Sequence, residues 1–185
     1  MDLFVNSEPN YSRHIAQILN ALEENQKQFN FAIDYRRLRK EEHYTQIFLT
    51  QLENAADLKL DLINDIAAHY GELEHSKTMG RIDSWRNILS NKLAAVFRYE
   101  AKDFADIWII AKHKPIAWRE IISEAKTKEA GIDPLALQEI LRSFPPDEVM
   151  AVKWNIPIDE NNFIADLATI ADDILQGKEN SLFCA

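Results

Sequence analysis

The stretch DLKLDLIND, residues 57–65, decides how the chain is expected to fold. Leu58, Leu60 and Leu62 alternate with other residues, which is the period of two expected for a β-strand with one apolar face. Asp61 lies on the opposite face, although Asp is a poor strand former. This carboxylate either faces solvent from a one-sided sheet or is placed to hold a ligand, and the spacing alone leaves both interpretations open.

Two further strands are expected upstream of this stretch, at residues 29–35 (FNFAIDY) and 44–52 (YTQIFLTQL). The connections between the three runs are short, as between antiparallel neighbours. The chain begins with another short strand that carries Asp2, and residues 7–25 show the apolar spacing of an amphipathic helix.

From about residue 81 the pattern becomes helical. We expect five helices, within residues 81–100, 101–114, 117–131, 133–144 and 162–177, the first of them starting at a cap on Asp83 or Ser84. Gly131 is expected to end the third of them as a C-cap. The fold class is therefore α+β, with a small, mostly antiparallel sheet and helices over residues 1–70 and an α-helical subdomain over residues 71–185.

Composition limits the classes of function. The chain has 185 residues, a net charge of −9 and a single cysteine, Cys184. The most apolar helical run, residues 104–111, is far shorter than the ~20 residues of a membrane span. With no secretory signal visible either, we expect a cytoplasmic protein without a membrane partner. Its acidity requires any nucleotide or nucleic-acid contact to be local, through a basic patch or a metal.

The densest basic run is YRRLRK, residues 35–40, which two glutamates follow at once. Such a run is most typical of a solvated hairpin connection. Other chemical signatures are missing from the sequence: the histidines show no metal-ligand spacing, and the four glycines form no phosphate-binding loop.

A second group of polar residues lies at the junction of the first two predicted helices. Asp103 and Asp106 are three positions apart and share a helix face, and Lys102 is within i,i+4 reach of Asp106. In a functional interpretation, Lys92 and Lys102 neutralise phosphate oxygens while a carboxylate orients a nucleophile. Acidic residues in a first turn also suit the helix dipole, which is a sufficient structural reason for them.

The order of these pieces resembles the AbiEii-type nucleotidyltransferase family, the toxin components of bacterial abortive-infection toxin–antitoxin systems. The resemblance covers residues 1 to about 112: a terminal DLF, a helix, three strands ending in LKLDLIND, and then GRIDSWRNILSNKLAAVFRYEAKDFADIWII. Its most specific part is the block R-x-D-S-x-R-N-I-L-x-N-K-L with the K-D-x-x-D that follows.

The resemblance implies a polymerase-β-like fold and transfer of a nucleotidyl group from an NTP to a tRNA, another RNA or a protein acceptor. Mg²⁺ would be held by strand carboxylates, of which Asp2 matches the second of the family's Asp-x-Asp pair and Asp61 the third. The polar residues of the helical block that match the family are Lys92, Lys102, Asp103 and Asp106, with the two lysines on the nucleotide phosphates.

The chain also departs from the family pattern. The family's Gly-Gly-Ser/Thr turn, the helix after it and the first Asp of the pair would all precede Met1. We therefore expect an N-terminally truncated protein with impaired activity. One alternative is a non-catalytic interaction module or relict of such an enzyme, which binds an antitoxin, another protein or a second copy through its exposed sheet edge or its helical subdomain. The other is a metal hydrolase that uses Asp61 with His69.

Overall fold

The computed structural model describes residues 1–5 and 10–184, and the chain divides into two compact units, Met1–Ile66 and Ala67–Ala185. The architecture is α+β, with a small, mostly antiparallel sheet and helices, so the predicted fold class is confirmed. No helix in the described part of the chain has the length and apolarity needed to cross a membrane.

The first unit is a five-stranded sheet with one helix. Its elements are β1 (Asp2–Phe4), α1 (Tyr11–Asn25), β2 (Phe31–Ile33), β3 (Arg39–Lys40), β4 (Tyr44–Gln51) and β5 (Asp57–Ile63). The strands follow the order β1-β5-β4-β2, and the short β3 also pairs with β4. Among the described residues, the β1–β5 pairing is parallel and the other pairings of this sheet are antiparallel. Strand β1 is joined to the rest of the sheet through α1 rather than by a hairpin.

Helix α1 packs on one face of this sheet. Tyr11, Ile15 and Leu19 form an apolar cluster with strand residues that include Leu62, and the Tyr11 hydroxyl donates a hydrogen bond to the Leu62 carbonyl. Leu58, at the beginning of β5, was expected on this buried face but is 47% exposed and does not belong to the cluster. The start of the predicted helix 7–25 lies partly outside the described residues.

The second unit is a helical subdomain with a small hairpin. It contains β6 (Glu74–Ser76), β7 (Gly80–Ile82), α2 (Trp85–Ala95), α3 (Ala101–His113), α4 (Trp118–Lys128), α5 (Pro134–Arg142) and α6 (Glu160–Gln176), with 3₁₀ turns at Val96–Arg98 and Pro146–Ala151. One apolar cluster runs through all five helices, and Phe104, Trp118 and Phe163 are its largest fully buried side chains.

Side-chain caps fix several of these boundaries. The Ser84 hydroxyl accepts a hydrogen bond from the backbone of the first turn of α2, and the Asp133 carboxylate accepts two from that of α5. Gly177 ends α6 in the left-handed conformation, with φ 60°. The expectation for Gly131 was wrong: α4 ends at Lys128, and its C-cap is Glu129 in extended conformation.

Candidate functional site

A row of polar residues crosses the face of the sheet opposite α1. The strand register sets Asp2 beside Asp61, Asp61 beside Gln46, and Gln46 beside Arg39. Because residues that pair across neighbouring strands lie on the same face, these residues of β1, β5, β4 and β3 form one line. We call Asp2, Asp61, Gln46 and Arg39 the polar row.

Parallel pairing places the two carboxylates of the row side by side. The Asp61 amide donates to the Met1 carbonyl at 2.9 Å, and the Val5 amide donates to the Ile63 carbonyl at 2.7 Å. Neighbouring strands lie about 4.8 Å apart, so the Asp2 and Asp61 side chains leave the sheet at adjacent points. The structure thus brings together the two residues that were predicted as metal ligands.

Asp61 is the better enclosed of the two, with only 7% of the residue exposed. Its Oδ1 accepts hydrogen bonds from the Tyr44 hydroxyl at 2.7 Å and from Gln46 Nε2 at 3.0 Å, and its Oδ2 lies 2.6 Å from Lys59 Nζ. Burial by itself raises the pKa of Asp61, but the hydrogen bonds from Lys59, Gln46 and Tyr44 outweigh it and lower the pKa. Asp61 is therefore ionised at neutral pH.

Lys59 supplies a positive charge beside both carboxylates. It lies two residues before Asp61 on β5, so both side chains are on the same face. The hydrogen bond to Asp61 raises the pKa of Lys59, and the charge of Asp2 contributes in the same direction. About half of the Lys59 side chain (48%) is exposed, so its ammonium can exchange between Asp61 and solvent.

The donor set of the polar row fits Mg²⁺ that is shared with a phosphate ligand. Within residues 1–5 and 10–184 no group of three or more His, Cys, Asp or Glu side chains is arranged to hold a metal, so Asp2 and Asp61 act as a pair only. Mg²⁺ is commonly held by one or two carboxylates together with substrate phosphates and water. Lys59 must leave Asp61 Oδ2 for such binding, and its flexible, half-exposed side chain allows this.

The polar block of the second unit is a network of ion pairs around Lys92. Its Nζ lies 2.8 Å from Asp103 Oδ1 and 2.6 Å from Asp106 Oδ2, and Arg98 Nη2 lies 3.0 Å from Asp103 Oδ2. Asp103 is completely buried. Burial lowers the pKa of Lys92, but the hydrogen bonds to Asp103 and Asp106 outweigh it and raise the pKa. Lys92 therefore joins α2 to the first turn of α3 as a charged group.

Lys102 does not join this network. Asp106 pairs with Lys92 from the neighbouring helix rather than with Lys102 from its own, and Lys102 has no ion-pair partner in the described part of the chain. Of the six predicted site residues, the structure therefore brings together Asp2 with Asp61 in the first unit and Lys92, Asp103 and Asp106 in the second.

His69, the partner of Asp61 in the hydrolase alternative, belongs to a different arrangement. Its Nε2 lies 2.6 Å from Asp83 Oδ1, and Asp83 Oδ2 accepts a hydrogen bond from the Asn87 side chain at 2.7 Å. These contacts hold His69 at the beginning of α2, inside the second unit. They give the imidazole a structural role that requires no metal.

Four residues of this face were not assigned to the site from the sequence: Lys59, Tyr44, Gln46 and Arg39. The period of two in β5 already places Lys59 on the face of Asp61, but no role in the site was predicted for it. Tyr44 and Gln46 could not be found in this way, since their contact with Asp61 depends on the register between β4 and β5.

Comparisons with known proteins bear on the fold. No protein-family model matches the chain, and no curated protein matches it in sequence. Two solved structures are similar: JHP933 from Helicobacter pylori and an H. pylori protein described as a putative nucleotidyltransferase. Each is 17% identical to this chain, with a TM-score of 0.53. The match covers 95% of this chain and 74% and 76%, respectively, of the two H. pylori chains.

At this level of identity the likeness establishes a shared fold. The chain therefore has a nucleotidyltransferase-like fold, in agreement with the α+β architecture and the sheet described above. The similarity covers 95% of this chain, whereas the sequence resemblance covers residues 1 to about 112.

Proposed function

We propose that this protein is an AbiEii-type nucleotidyltransferase that transfers a nucleotidyl group from an NTP to an RNA or protein acceptor. The observation that carries the proposal is the side-by-side position of Asp2 and Asp61 on the sheet face opposite α1. The description of one structural neighbour as a nucleotidyltransferase supports it. A cytoplasmic location, where NTPs and tRNA are available, and a cognate antitoxin as partner belong to the same proposal.

In this proposal Asp2 and Asp61 hold Mg²⁺ jointly with the phosphates of the NTP. The metal, when bound, offsets negative charge on the reacting phosphate and on the leaving pyrophosphate. The hydrogen bonds from Tyr44 and Gln46 keep Asp61 ionised and fixed in orientation, which prepares it as a ligand. Lys59, once released from Asp61, supplies a cation for phosphate oxygens.

The helical block has a different part in the proposal. Lys92 is already engaged by two carboxylates, so we assign it to positioning α3 against α2 rather than to direct contact with phosphate. Lys102 has no ion-pair partner among the described residues and stays a candidate for binding phosphate, as predicted from the sequence.

Label transfer tests the proposal. The protein is incubated with Mg²⁺, each of the four α-³²P-labelled NTPs and a tRNA pool or total protein, and labelled acceptors are separated on gels. We expect transfer by the wild type and loss of transfer in Asp61→Asn and Asp2→Asn. Asp57→Asn is the matched control, because Asp57 lies on the same strand and face but pairs with Arg37. Absence of transfer with every NTP and acceptor, or full activity of Asp61→Asn, would refute the proposal.

A second candidate function rests on the outer edge of the sheet. Strand β1 pairs with β5 on one side only within the described residues, and the side chains of Met1 and Phe4 are each 46% exposed there. An unpaired edge of this kind can add a strand from another chain. This alternative predicts a stable dimer or antitoxin complex without nucleotide binding. A protein that is strictly monomeric in light scattering and that binds NTPs would exclude this alternative.

A further inference from the structure

Arg39 ends the polar row on the side away from Asp2. It is opposite Gln46 on β4, and Gln46 is in turn opposite Asp61 on β5, so Arg39 shares the face of both carboxylates. Two strand spacings separate Arg39 from Asp61, which corresponds to about 10 Å between their backbones. The Arg39 side chain is exposed and has no ion-pair partner in the described part of the chain.

The neighbouring cations of this face are already paired. Arg37 lies 2.7 Å from both Asp34 and Asp57 and stacks over the Phe48 ring at 4.2 Å from its centroid. These carboxylates raise the pKa of Arg37. Lys59 is paired with Asp61 in the same way. Of Arg37, Lys59 and Arg39, only Arg39 has no carboxylate partner among the described residues, so its charge and its N–H donors are available to a ligand.

The positions of the charged side chains in the polar row complement the charges of a metal-bound polyphosphate. Carboxylates at one end attract a divalent cation, and a guanidinium at the other end donates paired hydrogen bonds to phosphate oxygens. A ligand that satisfies both ends carries a cation near one phosphate and free phosphate oxygens farther along. A monophosphate held by the metal at the carboxylates would be too short to reach both ends.

We propose that Arg39 binds the terminal phosphates of the NTP, at the end of the polyphosphate that lies away from the carboxylates. This inference rests on the proposed function, since it assumes that the nucleotide occupies the face of Asp2 and Asp61. It assigns a role to the basic run YRRLRK, which the sequence suggested to be only a solvated connection. It also makes Arg39 the residue that distinguishes triphosphates from monophosphates.

The neighbour of Arg39 provides a matched control. Lys40 is also exposed and without an ion-pair partner in the described residues, but it is opposite Thr45, which is 1% exposed on the other face. Arg39→Gln and Lys40→Gln therefore remove the same charge at adjacent positions of β3, from opposite faces of the sheet. Both positions are exposed, so neither change is expected to affect folding, and thermal unfolding of both variants verifies this.

Binding is measured by fluorescence with mant-labelled ATP and GTP, and with the corresponding di- and monophosphates, in the presence of Mg²⁺. A charge-assisted hydrogen bond from Arg39 predicts that Arg39→Gln weakens triphosphate binding roughly tenfold or more. Monophosphate binding should stay within about twofold, as should all binding to Lys40→Gln. Arg39→Lys should recover part of the loss, because it restores the charge without the paired donors.

Other results of these binding measurements would contradict the role of Arg39 or the proposed function. Equal losses in Arg39→Gln and Lys40→Gln would show that only overall charge matters. Equal losses for tri- and monophosphates would show that Arg39 does not contact the terminal phosphates. If the wild type transfers label but Arg39→Gln binds triphosphates normally, Arg39 has no such role and the proposed function stands. If the wild type binds no mant-labelled nucleotide, both proposals fail.

Discussion

Replacing Lys92 by Met tests whether the ion-pair network of the second unit is structural. The substitution keeps an unbranched side chain of similar length, so the packing of its stem is largely preserved. It removes the ammonium that lies 2.8 Å from Asp103 and 2.6 Å from Asp106. Asp103 is completely buried and loses the donor to its Oδ1, whereas Asp106, whose side chain is 44% exposed, can be solvated instead.

The expected cost follows from these contacts. Removing one partner of a buried ion pair costs about 3 to 5 kcal/mol. Arg98 still binds Asp103 Oδ2, and the Lys92 side chain is itself 23% exposed, so the loss should approach that of one charged hydrogen bond. We therefore expect unfolding of the second unit to become easier by about 2 to 3 kcal/mol. With a denaturant dependence of about 2 kcal/mol/M, the urea midpoint falls by about 1 to 1.5 M.

Tryptophan fluorescence is the appropriate assay, because all four tryptophans of the chain lie in the second unit. They are Trp85, Trp108, Trp118 and Trp154. Urea titration followed at these residues reports unfolding of the helical subdomain even if the first unit unfolds separately. Far-UV circular dichroism, which reports both units, checks that the first unit is unaffected.

Lys102→Met is the matched control for this experiment. Lys102 belongs to the same polar block but has no ion pair in the described part of the chain, so its replacement should change stability by no more than about 0.5 kcal/mol. If both variants shift the midpoint by the same small amount, Lys92 is not a structural ion-pair residue. A direct role on phosphate, as the sequence resemblance implies, would then be the better explanation.

Three further predictions use the same fluorescence assay. The first concerns pH: the hydrogen bonds to Asp103 and Asp106 raise the pKa of Lys92 in the folded protein. Its contribution to the free energy of unfolding is therefore complete below the ordinary pKa of 10.5 and is lost as pH rises through the higher pKa of the folded state. The urea midpoints of the wild type and Lys92→Met should thus converge only in that alkaline range. Gly71→Ala should lower the free energy of unfolding by more than about 1 kcal/mol, because φ is 79° and the new Cβ would lie 2.8 Å from Ser84 Cβ. Gly80→Ala should lower it by less, since φ is 75° but no atom lies within 4 Å of the new Cβ. Asp133→Ala removes the N-cap of α5 and should cost about 1 kcal/mol, most of which Asp133→Asn retains.

Local patterns were sufficient to predict most of the fold. The alternation in β5 and the helical spacing after residue 81 are properties of short segments, and so is the cap at Ser84. The end of α4 was misplaced because tertiary packing determines it. Ile132 is buried in the core, and the chain leaves the helix at Glu129 before reaching Gly131.

The β6–β7 hairpin was not predicted for a different reason. Its strands, Glu74–Ser76 and Gly80–Ile82, are three residues each and pair only with each other in the described part of the chain. Five of their six residues are exposed, so no apolar alternation marks them. Strands without a buried face and with few β-branched residues leave almost no signal in the sequence.

The sequence allowed individual residues of the candidate site to be predicted, but not their arrangement. Asp2 and Asp61 stand out because each is a carboxylate in an apolar strand, and the resemblance paired them. Their adjacency, and the line that continues to Gln46 and Arg39, depends on the register of four strands. Register follows from the packing of the whole sheet and the geometry of its connections, which no local pattern contains.

The polar row together with the adjacent Lys59 has a charge balance that bears on nucleotide binding by an acidic protein. The carboxylates of Asp2 and Asp61 balance the charges of Lys59 and Arg39, so this group of side chains is neutral although the whole chain carries −9. An NTP alone would gain little from such a face, because its phosphates would meet the carboxylates as well as the cations. A bound divalent cation would make the face positive and release Lys59 toward the phosphates. Triphosphate affinity should therefore drop at least tenfold when EDTA replaces Mg²⁺, and Asp61→Asn should reduce this dependence; equal affinity in EDTA would refute the argument.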